Sequence, residues 1–410
     1  MLSKVAQLPS SIKQYLVITG NYWAFTLTDG ALRMLVVLHF HQLGYGPLAI
    51  AMLFLFYEFF GVVTNLVGGW LGARIGLNRT MNIGLALQVF ALLMLTVPAA
   101  MLTVPWVMAA QALSGIAKDL NKMSAKSSVK QLTKVADQEG ESRLFRWVAV
   151  LTGSKNTLKG VGFFLGGALL TGLGFVGALW AMIAMLGMVL IGSLVFLKKD
   201  LGRSKAKPKF SEIFSTSTAV NRLSAARLFL FGARDIWFVV ALPVYLSTQF
   251  EWDHWLVGGF LASWVIAYGV VQACAPWITG KRTGRVPGVG ETIGWVAILA
   301  LIPAGIGLFL NMQPMWVLLG GLLAFGVLFA INSSLHSYLI VSYAKEEGTS
   351  MDVGFYYMAN AMGRLVGTVL SGWIFQRWGL EACLYASTLF LLLATLLTTA
   401  LPKHAVEQAG

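Results

Sequence analysis

Seven basic residues stand within apolar stretches of this sequence, where a charge is costly to bury. Lys118 and Lys122 are four positions apart, as are Lys155 and Lys159, and side chains at this spacing share one face of a helix. Such cationic stripes need an anion, and phosphate or carboxylate groups suit both the guanidinium fork and the ammonium point charge. The candidate anion-binding residues are Arg33, Lys118, Lys122, Lys155, Lys159, Arg234 and Arg364.

Four carboxylates lie in the same stretches and are outnumbered by the cations. Asp29 and Arg33 are at helical spacing, so they are candidates either for an ion pair within one helix or for separate roles at a binding site. Glu58 has no evident partner and is a candidate proton carrier or a neutral acid in a helix interface. The excess of cations predicts a substrate with two or more negative charges. The candidate proton carriers or charge partners are Asp29, Glu58, Asp119 and Asp235.

Uncharged polar and aromatic residues accompany these charges. His336 and Asn332 share one apolar stretch, and His336 is a candidate for an interhelical hydrogen bond or for a ligand. The sequence contains no Gly-rich phosphate loop and no metal-ligand spacing of histidines, so no enzyme activity, cofactor or metal site is expected. The secondary polar set comprises Tyr22, Asn121, Asn332, His336 and Asn360.

The elements that carry these residues are long apolar runs. The chain of 410 residues is 57% hydrophobic and 11% charged, whereas soluble domains are about a quarter charged. Several runs exceed the roughly 20 residues that a membrane-spanning helix requires, and backbone groups in lipid must bond internally, so the runs are predicted to be helices. Twelve spans are expected, at about 16–42, 46–72, 80–101, 104–124, 145–172, 175–197, 223–248, 254–279, 289–311, 315–343, 350–376 and 380–401.

The basic residues between the spans are distributed unevenly. The net charge of +13 lies almost wholly on one set of loops, whereas the short turns on the other side hold one cation, Arg377. Positive loops face the cytoplasm, so both termini are expected there, and the charge does not call for a nucleic-acid partner. The stretch with Lys205, Lys207 and Lys209 is interpreted as a solvated tether. The predicted organisation is an N-terminal six-helix bundle at 1–197, a cytoplasmic basic linker at 198–218 and a C-terminal six-helix bundle at 219–410.

The two halves of the sequence resemble each other at an offset of about 205 residues. At this offset Lys159 falls on Arg364, and Gly162 falls on Gly367. Parallel repeats of this kind occur in transporters, with the binding site near the membrane midplane. The sequence therefore predicts an all-α integral membrane protein of twelve helices, in two pseudo-symmetric bundles around a central cavity that opens alternately to each side.

The loop after the second predicted span resembles the loop motif of the major facilitator superfamily, G-x-L-x-D-R-x-G-R-R. Gly69, Arg74 and Gly76 match motif positions, and Arg79 lies one position beyond the last arginine of the motif. Ala73 replaces the acidic residue, which weakens the expectation of a charge latch in this loop. The segment 162–167 is similar to the antiporter motif G-P-x-x-G-G, but Phe163 stands in the proline position and weakens an inference of antiport. The resemblance implies a major facilitator fold.

Longer strings, at 20–33, 115–128, 152–160 and 226–235, are similar to the organoarsenical efflux permeases over nearly the whole chain. This resemblance implies export of 1-arseno-3-phosphoglycerate and hence resistance to arsenate. Glyceraldehyde-3-phosphate dehydrogenase would supply this substrate when it uses arsenate in place of phosphate. The protein would be a monomer in contact with membrane lipids, with several spans in the bacterial inner membrane.

Other functions remain open from the residues alone. An exchanger of organophosphate for phosphate, or of other organic anions, would use the same cations. A drug/proton antiporter is disfavoured because the excess cations would repel a cationic drug. The energy source also stays open between proton antiport, phosphate exchange and uniport driven by the membrane potential, which favours the exit of anions from the cell.

Overall fold

The computed structural model describes residues 10–45, 53–133, 138–197, 201–204, 208–210, 213–252, 254–280, 287–346 and 348–402. These residues form helices and short connections, and no strand occurs among them. The start of the second predicted span and parts of the linker lie outside them. So do the predicted loop and tail cations Lys4, Lys134, Lys198, Lys199, Lys205, Lys207, Lys281, Arg282, Arg285 and Lys403.

The helices follow one another with short connections. A 3₁₀ turn at Ala99–Met101 precedes α4. Within the described ranges, seven helices, counting α6 with α7, are long and apolar enough to cross a membrane; α1, α2 and α4 are not among them. The helices are α1 (Ser10–Gln42), α2 (Leu55–Ile75), α3 (Leu77–Met94), α4 (Val104–Leu132), α5 (Gln138–Phe196), α6 (Thr218–Phe238), α7 (Ala241–Gln249), α8 (His254–Gly280), α9 (Val289–Phe309), α10 (Pro314–Tyr343) and α11 (Thr349–Thr399).

The two longest helices each contain two of the predicted spans. Gly174 interrupts α5 with a φ of 69°, and Gly379 interrupts α11 with a φ of 75°. A residue without Cβ adopts this left-handed region without strain, so each glycine permits a turn between two helical segments. The predicted turns at 172–175 and 376–379 are thus confirmed. With this division, and with α6 and α7 as one span, the described helices account for the twelve predicted spans.

The seventh predicted span is broken in the middle. α6 ends at Phe238 and α7 begins at Ala241. Pro243 explains the break, because its ring excludes a helical carbonyl at Val239 and its nitrogen has no proton to donate. Ser371 partly compensates, because its hydroxyl accepts a hydrogen bond of 3.1 Å from the Ala241 amide.

The chain forms two compact units with separate apolar cores. Unit 1 comprises Met1–Lys134, Ser154–Phe214 and Ala344–Met358, and unit 2 comprises Val135–Gly153, Ser215–Tyr343 and Ala359–Gly410. The N-terminal ends of α5 and α11 therefore belong to a different unit from the rest of their helices. The bundle boundaries at 197 and 219 stay a prediction. The cores include Phe25, Leu32, Leu85 and Leu179 in unit 1, and Trp237, Leu299, Phe325 and Phe329 in unit 2.

Each unit contains the same close helix contact. In unit 1, a Cβ added to Gly162 of α5 would lie 2.5 Å from the carbonyl oxygen of Leu27 in α1. In unit 2, a Cβ added to Gly367 of α11 would lie 2.6 Å from the carbonyl oxygen of Gly232 in α6. Small residues allow helix backbones to approach this closely in a membrane. The two contacts are related by the offset of about 205 residues, so the sequence repeat corresponds to a repeated packing contact.

Candidate functional site

In unit 1, α1 and α2 position the first group of predicted site residues. Arg33 Nη2 donates a hydrogen bond of 2.9 Å to Glu58 Oε1, and the Tyr57 hydroxyl donates one of 2.6 Å to Asp29 Oδ1. The Arg33 guanidinium also lies 4.9 Å from the centre of the Tyr57 ring. Arg33 thus pairs with α2 and not with Asp29 within its own helix. Glu58, which had no evident partner in the sequence, forms its ion pair with Arg33.

On α4, one buried carboxylate pairs with two lysines. Asp119 Oδ1 lies 2.5 Å from Lys122 Nζ, and Asp119 Oδ2 lies 3.7 Å from Lys118 Nζ. Lys122 lies near the end of the predicted span, from which its side chain could extend to the surface. It does not, because it is only 8% exposed. Lys118 Nζ also lies 3.8 Å from the centre of the Tyr57 ring, which connects this group to α2.

The first segment of α5 contributes Lys155 and Lys159, both half-buried. The described residues give neither lysine a hydrogen bond or an ion pair. Lys155 is close enough to Lys118, Lys122 and Lys159 to be repelled by their charges. The cluster has more cations than acids, so its charges are not neutralised from within. Its charged residues are Asp29, Arg33, Glu58, Lys118, Asp119, Lys122, Lys155 and Lys159.

Two buried polar side chains near this cluster have no partner among the described residues. These groups are the Tyr22 hydroxyl and the amide of Asn121, with side chains 1% and 0% exposed. Tyr22 lies within the electrostatic range of Asp29 and Asp119. A buried polar group without a partner costs about 1–3 kcal/mol, so these groups are expected to bind water or a ligand.

The sequence interpretation missed three contact residues of this cluster. These residues are Tyr57, Lys126 and Tyr357. In the structure α4 continues to Leu132, and Lys126 is 3% exposed with its Nζ 4.7 Å from the centre of the Tyr357 ring. The signal for Lys126 was its spacing, because it extends the stripe of Lys118 and Lys122 by one further helical turn.

Unit 2 holds a smaller charge cluster on α6 and α11. Asp235 is fully buried and pairs with both Arg234, at 2.5 Å, and Arg364, at 3.1 Å. The Arg234 guanidinium also lies 5.1 Å from the centre of the Phe231 ring. One carboxylate therefore bridges two arginines, and this cluster too has more positive than negative groups.

A second polar cluster in unit 2 surrounds Arg227, which the sequence analysis did not include in the site. Arg227 is 2% exposed and donates from Nε to Asn360 Oδ1 at 2.9 Å. Ser333 Oγ accepts from Arg227 at 3.3 Å and from Gln272 at 2.9 Å. Arg227 could have been found from its place on α6, two turns before Arg234.

The remaining predicted residues of unit 2 differ in their bonding. Asn332 donates to the carbonyl oxygens of Trp295 and Leu328, at 3.0 and 2.9 Å, so its amide nitrogen serves helix packing. His336 is 0% exposed, and neither ring nitrogen has a hydrogen-bond partner among the described residues. His336 lies within the electrostatic range of Arg227, so it belongs with the Arg227 cluster.

The residues of the loop motif hold helix ends together through backbone contacts. Gly69 is in close contact with the N-terminal end of α11, where Ser350 Oγ donates 2.7 Å to the Gly69 carbonyl. Gly76, with a φ of 100°, separates α2 from α3. Arg74 and Arg79 are exposed, and the Arg74 guanidinium lies 5.1 Å from the centre of the Trp70 ring.

Repeated helical units with charged residues between helices are typical of polytopic membrane transporters. The sequence profile of the Major Facilitator Superfamily matches residues 16–351, and the chain belongs to this superfamily. The protein is therefore a multi-pass membrane transporter and not an enzyme. The sequence matches none of the curated proteins with which it was compared.

Solved structures of similar fold come from transporters of different substrates. The human organic anion transporter TETRAN has 16% identity and a TM-score of 0.75, with 95% of this chain and 100% of that chain covered. A bacterial homologue of the iron transporter ferroportin, in an outward-facing state, has 15% identity and a TM-score of 0.71, with coverage of 96% and 99%. The E. coli fucose:proton symporter has 11% identity and a TM-score of 0.70, with coverage of 95% and 99%. At these identities the likeness establishes the fold alone.

Proposed function

We propose that this transporter exports an organic polyanion, and that the cationic cluster of unit 1 binds it. The observation that carries the proposal is the state of Lys155 and Lys159. Both are half-buried, and the described residues offer them no hydrogen bond or ion pair. Lys155 is surrounded by other lysines, and Lys159 has both cations and the acids Asp29 and Glu58 nearby. Unpaired charges in a membrane protein are costly and generally serve substrate or ion binding.

The charges of the cluster support a multiply charged anion. Asp119 partly neutralises Lys118 and Lys122, and Glu58 partly neutralises Arg33. An oxyanion with several acceptor oxygens bonds two ammonium groups at helical spacing at once, and it relieves their mutual repulsion. The partly exposed Arg33 and the unpaired Tyr22 hydroxyl then provide further donors.

Within this class, 1-arseno-3-phosphoglycerate is the proposed substrate. Its phosphate and its arsenate ester provide the two charged ends that the cationic excess requires. The strings at 20–33, 115–128 and 152–160, which resemble the organoarsenical efflux permeases, include Arg33, Lys118 and Lys155 of this cluster. Similar folds serve an organic anion transporter and a fucose:proton symporter, so the fold does not select the substrate and the residues must do so.

The cellular setting follows from the same proposal. The uneven loop charge supports cytoplasmic termini, and the substrate class supports the bacterial inner membrane. Glyceraldehyde-3-phosphate dehydrogenase supplies the substrate on the cytoplasmic side, and export by a monomer confers arsenate resistance. Transport proceeds by alternating access. Binding of the anion screens the repulsion among the lysines, and the carboxylates replace the anion as partners after its release.

Arsenic uptake into everted membrane vesicles tests this function. The dehydrogenase, NAD, glyceraldehyde 3-phosphate and arsenate are supplied outside, with each component omitted in turn. Uptake that requires the protein and the complete mixture supports the organoarsenical. No uptake by vesicles that contain the folded protein contradicts it. Uptake of glyceraldehyde 3-phosphate that arsenate does not alter, but that internal phosphate stimulates, identifies a phosphate exchanger instead.

The role of the unpaired lysines is tested in the same vesicles. Lys155→Gln and Lys159→Gln should each reduce Vmax/KM by about 10- to 100-fold, because a hydrogen bond to a charged group is worth about 1.5–3 kcal/mol. Neither variant should lose thermal stability, because each substitution removes a buried ammonium group that has no ion-pair partner among the described residues. The exposed Lys345, changed to Gln, is the matched control. Normal transport by both lysine variants would remove the basis of the proposal.

A further inference from the structure

The lysine stripe of α4 ends under an aromatic residue from a distant part of the chain. Tyr357, near the N-terminal end of α11, covers both Lys122 and Lys126. The two ammonium nitrogens lie 5.0 and 4.7 Å from the centre of its ring, and Lys126 Nζ also bonds its hydroxyl. The ring face thus presents negative electrostatic potential to both lysines, and the hydroxyl oxygen presents it to Lys126.

Lys126 and Lys122 belong to the same electrostatic group as the proposed substrate site. Lys155 lies within the electrostatic range of both. Lys126 is 3% exposed and lies one turn beyond Lys122 toward the C-terminal end of α4, the end expected to face the cytoplasm. A substrate that enters from the cytoplasm would meet this end of the stripe first.

The segment that carries Tyr357 is held in unit 1 by hydrogen bonds and by the charge of Lys130, which attracts Asp352 in this segment. Ser350 Oγ donates to the Gly69 carbonyl at 2.7 Å, and Gln131 Nε2 donates to Thr349 Oγ1 at 3.0 Å. Lys130 Nζ donates to the Ala344 carbonyl. From residue 359 onward, α11 belongs to unit 2. Neutral hydrogen bonds are worth about 1 kcal/mol each and one from a charged donor about 1.5–3 kcal/mol, so a conformational change can release the segment.

From these contacts we infer that Lys122 and Lys126 form a cytoplasmic entry subsite for a phosphate-class oxyanion, with Tyr357 in place of the anion in the present conformation. This inference rests on the proposed function and names where the anion first binds. When the N-terminal end of α11 leaves unit 1, Tyr357 uncovers both lysines. The incoming oxyanion then occupies the position of the phenol and passes to Lys155 and Lys159. Return of Tyr357 after the transfer prevents rebinding at the entry subsite.

Two lysines on successive turns of α4 allow a matched test. Lys126 bonds Tyr357 of α11, whereas Lys130 bonds the carbonyl of Ala344, just before α11 begins. In the vesicle assay, Lys126→Gln should raise KM at the cytoplasmic face about 10-fold and change Vmax by less than about twofold. Lys126→Arg should restore most of the affinity. Lys130→Gln should leave KM unchanged or lower it, because this substitution only weakens the attachment of the segment that holds Tyr357 over the two lysines.

The direction of the change in KM shows whether Lys126 binds the anion or only holds the segment with Tyr357 closed. If Lys126 only held the segment closed, its removal would increase the fraction open to the cytoplasm and lower KM. Tyr357→Phe keeps the ring but removes the hydroxyl that competes with the anion, so we expect a lower KM. A KM for Lys126→Gln that is unchanged, lowered or equal to that of Lys130→Gln overturns the inference.

A binding measurement keeps the test independent of the transported compound. Calorimetric titration of the purified full-length protein with inorganic phosphate should show about 10-fold weaker binding for Lys126→Gln than for the wild type. Equal affinities overturn the entry subsite even if the vesicles transport no arsenic. Vesicles without arsenic uptake, together with weaker phosphate binding by Lys126→Gln, overturn only the organoarsenical. Absence of phosphate binding by the wild type overturns the entry subsite, whereas the vesicle assay alone decides the proposed function.

Discussion

At the scale of single residues, the two units differ in how far their buried cations are paired with carboxylates. Asp235 of unit 2 bridges Arg234 and Arg364, so each arginine has a carboxylate within 3.1 Å. In unit 1, Asp119 and Glu58 have partners, but the described residues leave Lys155 and Lys159 without any. A paired charge already interacts with a counter-charge in the protein, whereas an unpaired charge can direct its whole interaction to a ligand.

The bridging role of Asp235 predicts a large loss of stability on its removal. Asp235→Asn removes the negative charge that both neighbouring arginines contact, and loss of one member of a buried pair costs about 3–5 kcal/mol. We expect the lower end of this range, because the Arg364 side chain is 37% exposed and partly hydrated. Thermal unfolding of the purified variant in detergent measures the effect.

A second substitution provides the control for Asp235. Arg364→Gln in the Asp235→Asn background removes one of the two repelled cations, so the double variant should recover part of the lost stability. Double-mutant analysis quantifies this coupling. Strictly additive losses would show that Asp235 and Arg364 do not interact energetically.

At the scale of helices, backbone contact between glycine-bearing faces sets the distance between elements. Gly162 on α5 and Gly367 on α11 occupy equivalent places in the two units, each against a carbonyl oxygen of the neighbouring helix. Lys159 lies on α5 beside the first contact, and Arg364 lies on α11 beside the second. The same contacts that join the helices therefore position the predicted anion-binding residues.

Alanine substitutions test whether this contact is required. Gly162→Ala places a methyl group 2.5 Å from the Leu27 carbonyl oxygen, so α1 and α5 must separate. Overpacking of this kind costs about 1–3 kcal/mol. Gly172→Ala in the same helical segment meets no atom within 4 Å and should be neutral or stabilising by up to about 1 kcal/mol, because alanine favours the helix.

The pair of glycine variants is compared by thermal unfolding and by vesicle uptake. A lower unfolding temperature and reduced transport are expected for Gly162→Ala alone. In unit 2, Gly367→Ala and Gly372→Ala form the equivalent pair, since a Cβ at Gly372 also meets no atom within 4 Å. Equal stability of the two members of a pair would argue against the packing role of the contact.

At the scale of the whole molecule, the excess of positive charge is a property of each unit's cluster and of the chain's net +13. Transfer of an anion out of the cell is already favoured by the inside-negative potential. The free energy is about 2.3 kcal/mol per charge per 100 mV, which corresponds to about 50-fold accumulation for each net charge moved. We therefore expect the potential alone to support export.

Everted vesicles with an imposed potential test this expectation. Valinomycin with K⁺ outside makes the lumen positive, and it should increase steady-state arsenic accumulation by about 50-fold per net charge at 100 mV. A protonophore should have no effect while valinomycin sets the potential. Vesicles without valinomycin are the control. Accumulation that follows an imposed pH gradient and ignores the potential would instead establish proton coupling, with Glu58 or Asp29 as the candidate carriers.

The arrangement of the helices was largely predictable, and the partners of the charged residues were not. Apolar runs of sufficient length predicted the twelve spans, and glycine marked the turns at Gly174 and Gly379. The partner of Arg33 was not predictable, because helical spacing indicated only Asp29, and Glu58 on the next span had no evident partner. Likewise, the sequence showed three lysines at spacing of four but not that α4 would continue to Leu132 and bury Lys126.

The sequence by itself determined the helices, the family and the excess of cations, because these depend on local composition and on spacing along one chain. Only the tertiary structure decided which charges neutralise each other. The interaction energy of an ion pair decreases with the distance between its charges. Arg33 pairs with Glu58 only because α1 and α2 bring these two side chains within 2.9 Å. Tyr357 over Lys126 is the extreme case, because the two residues are 231 positions apart in sequence and in contact in unit 1.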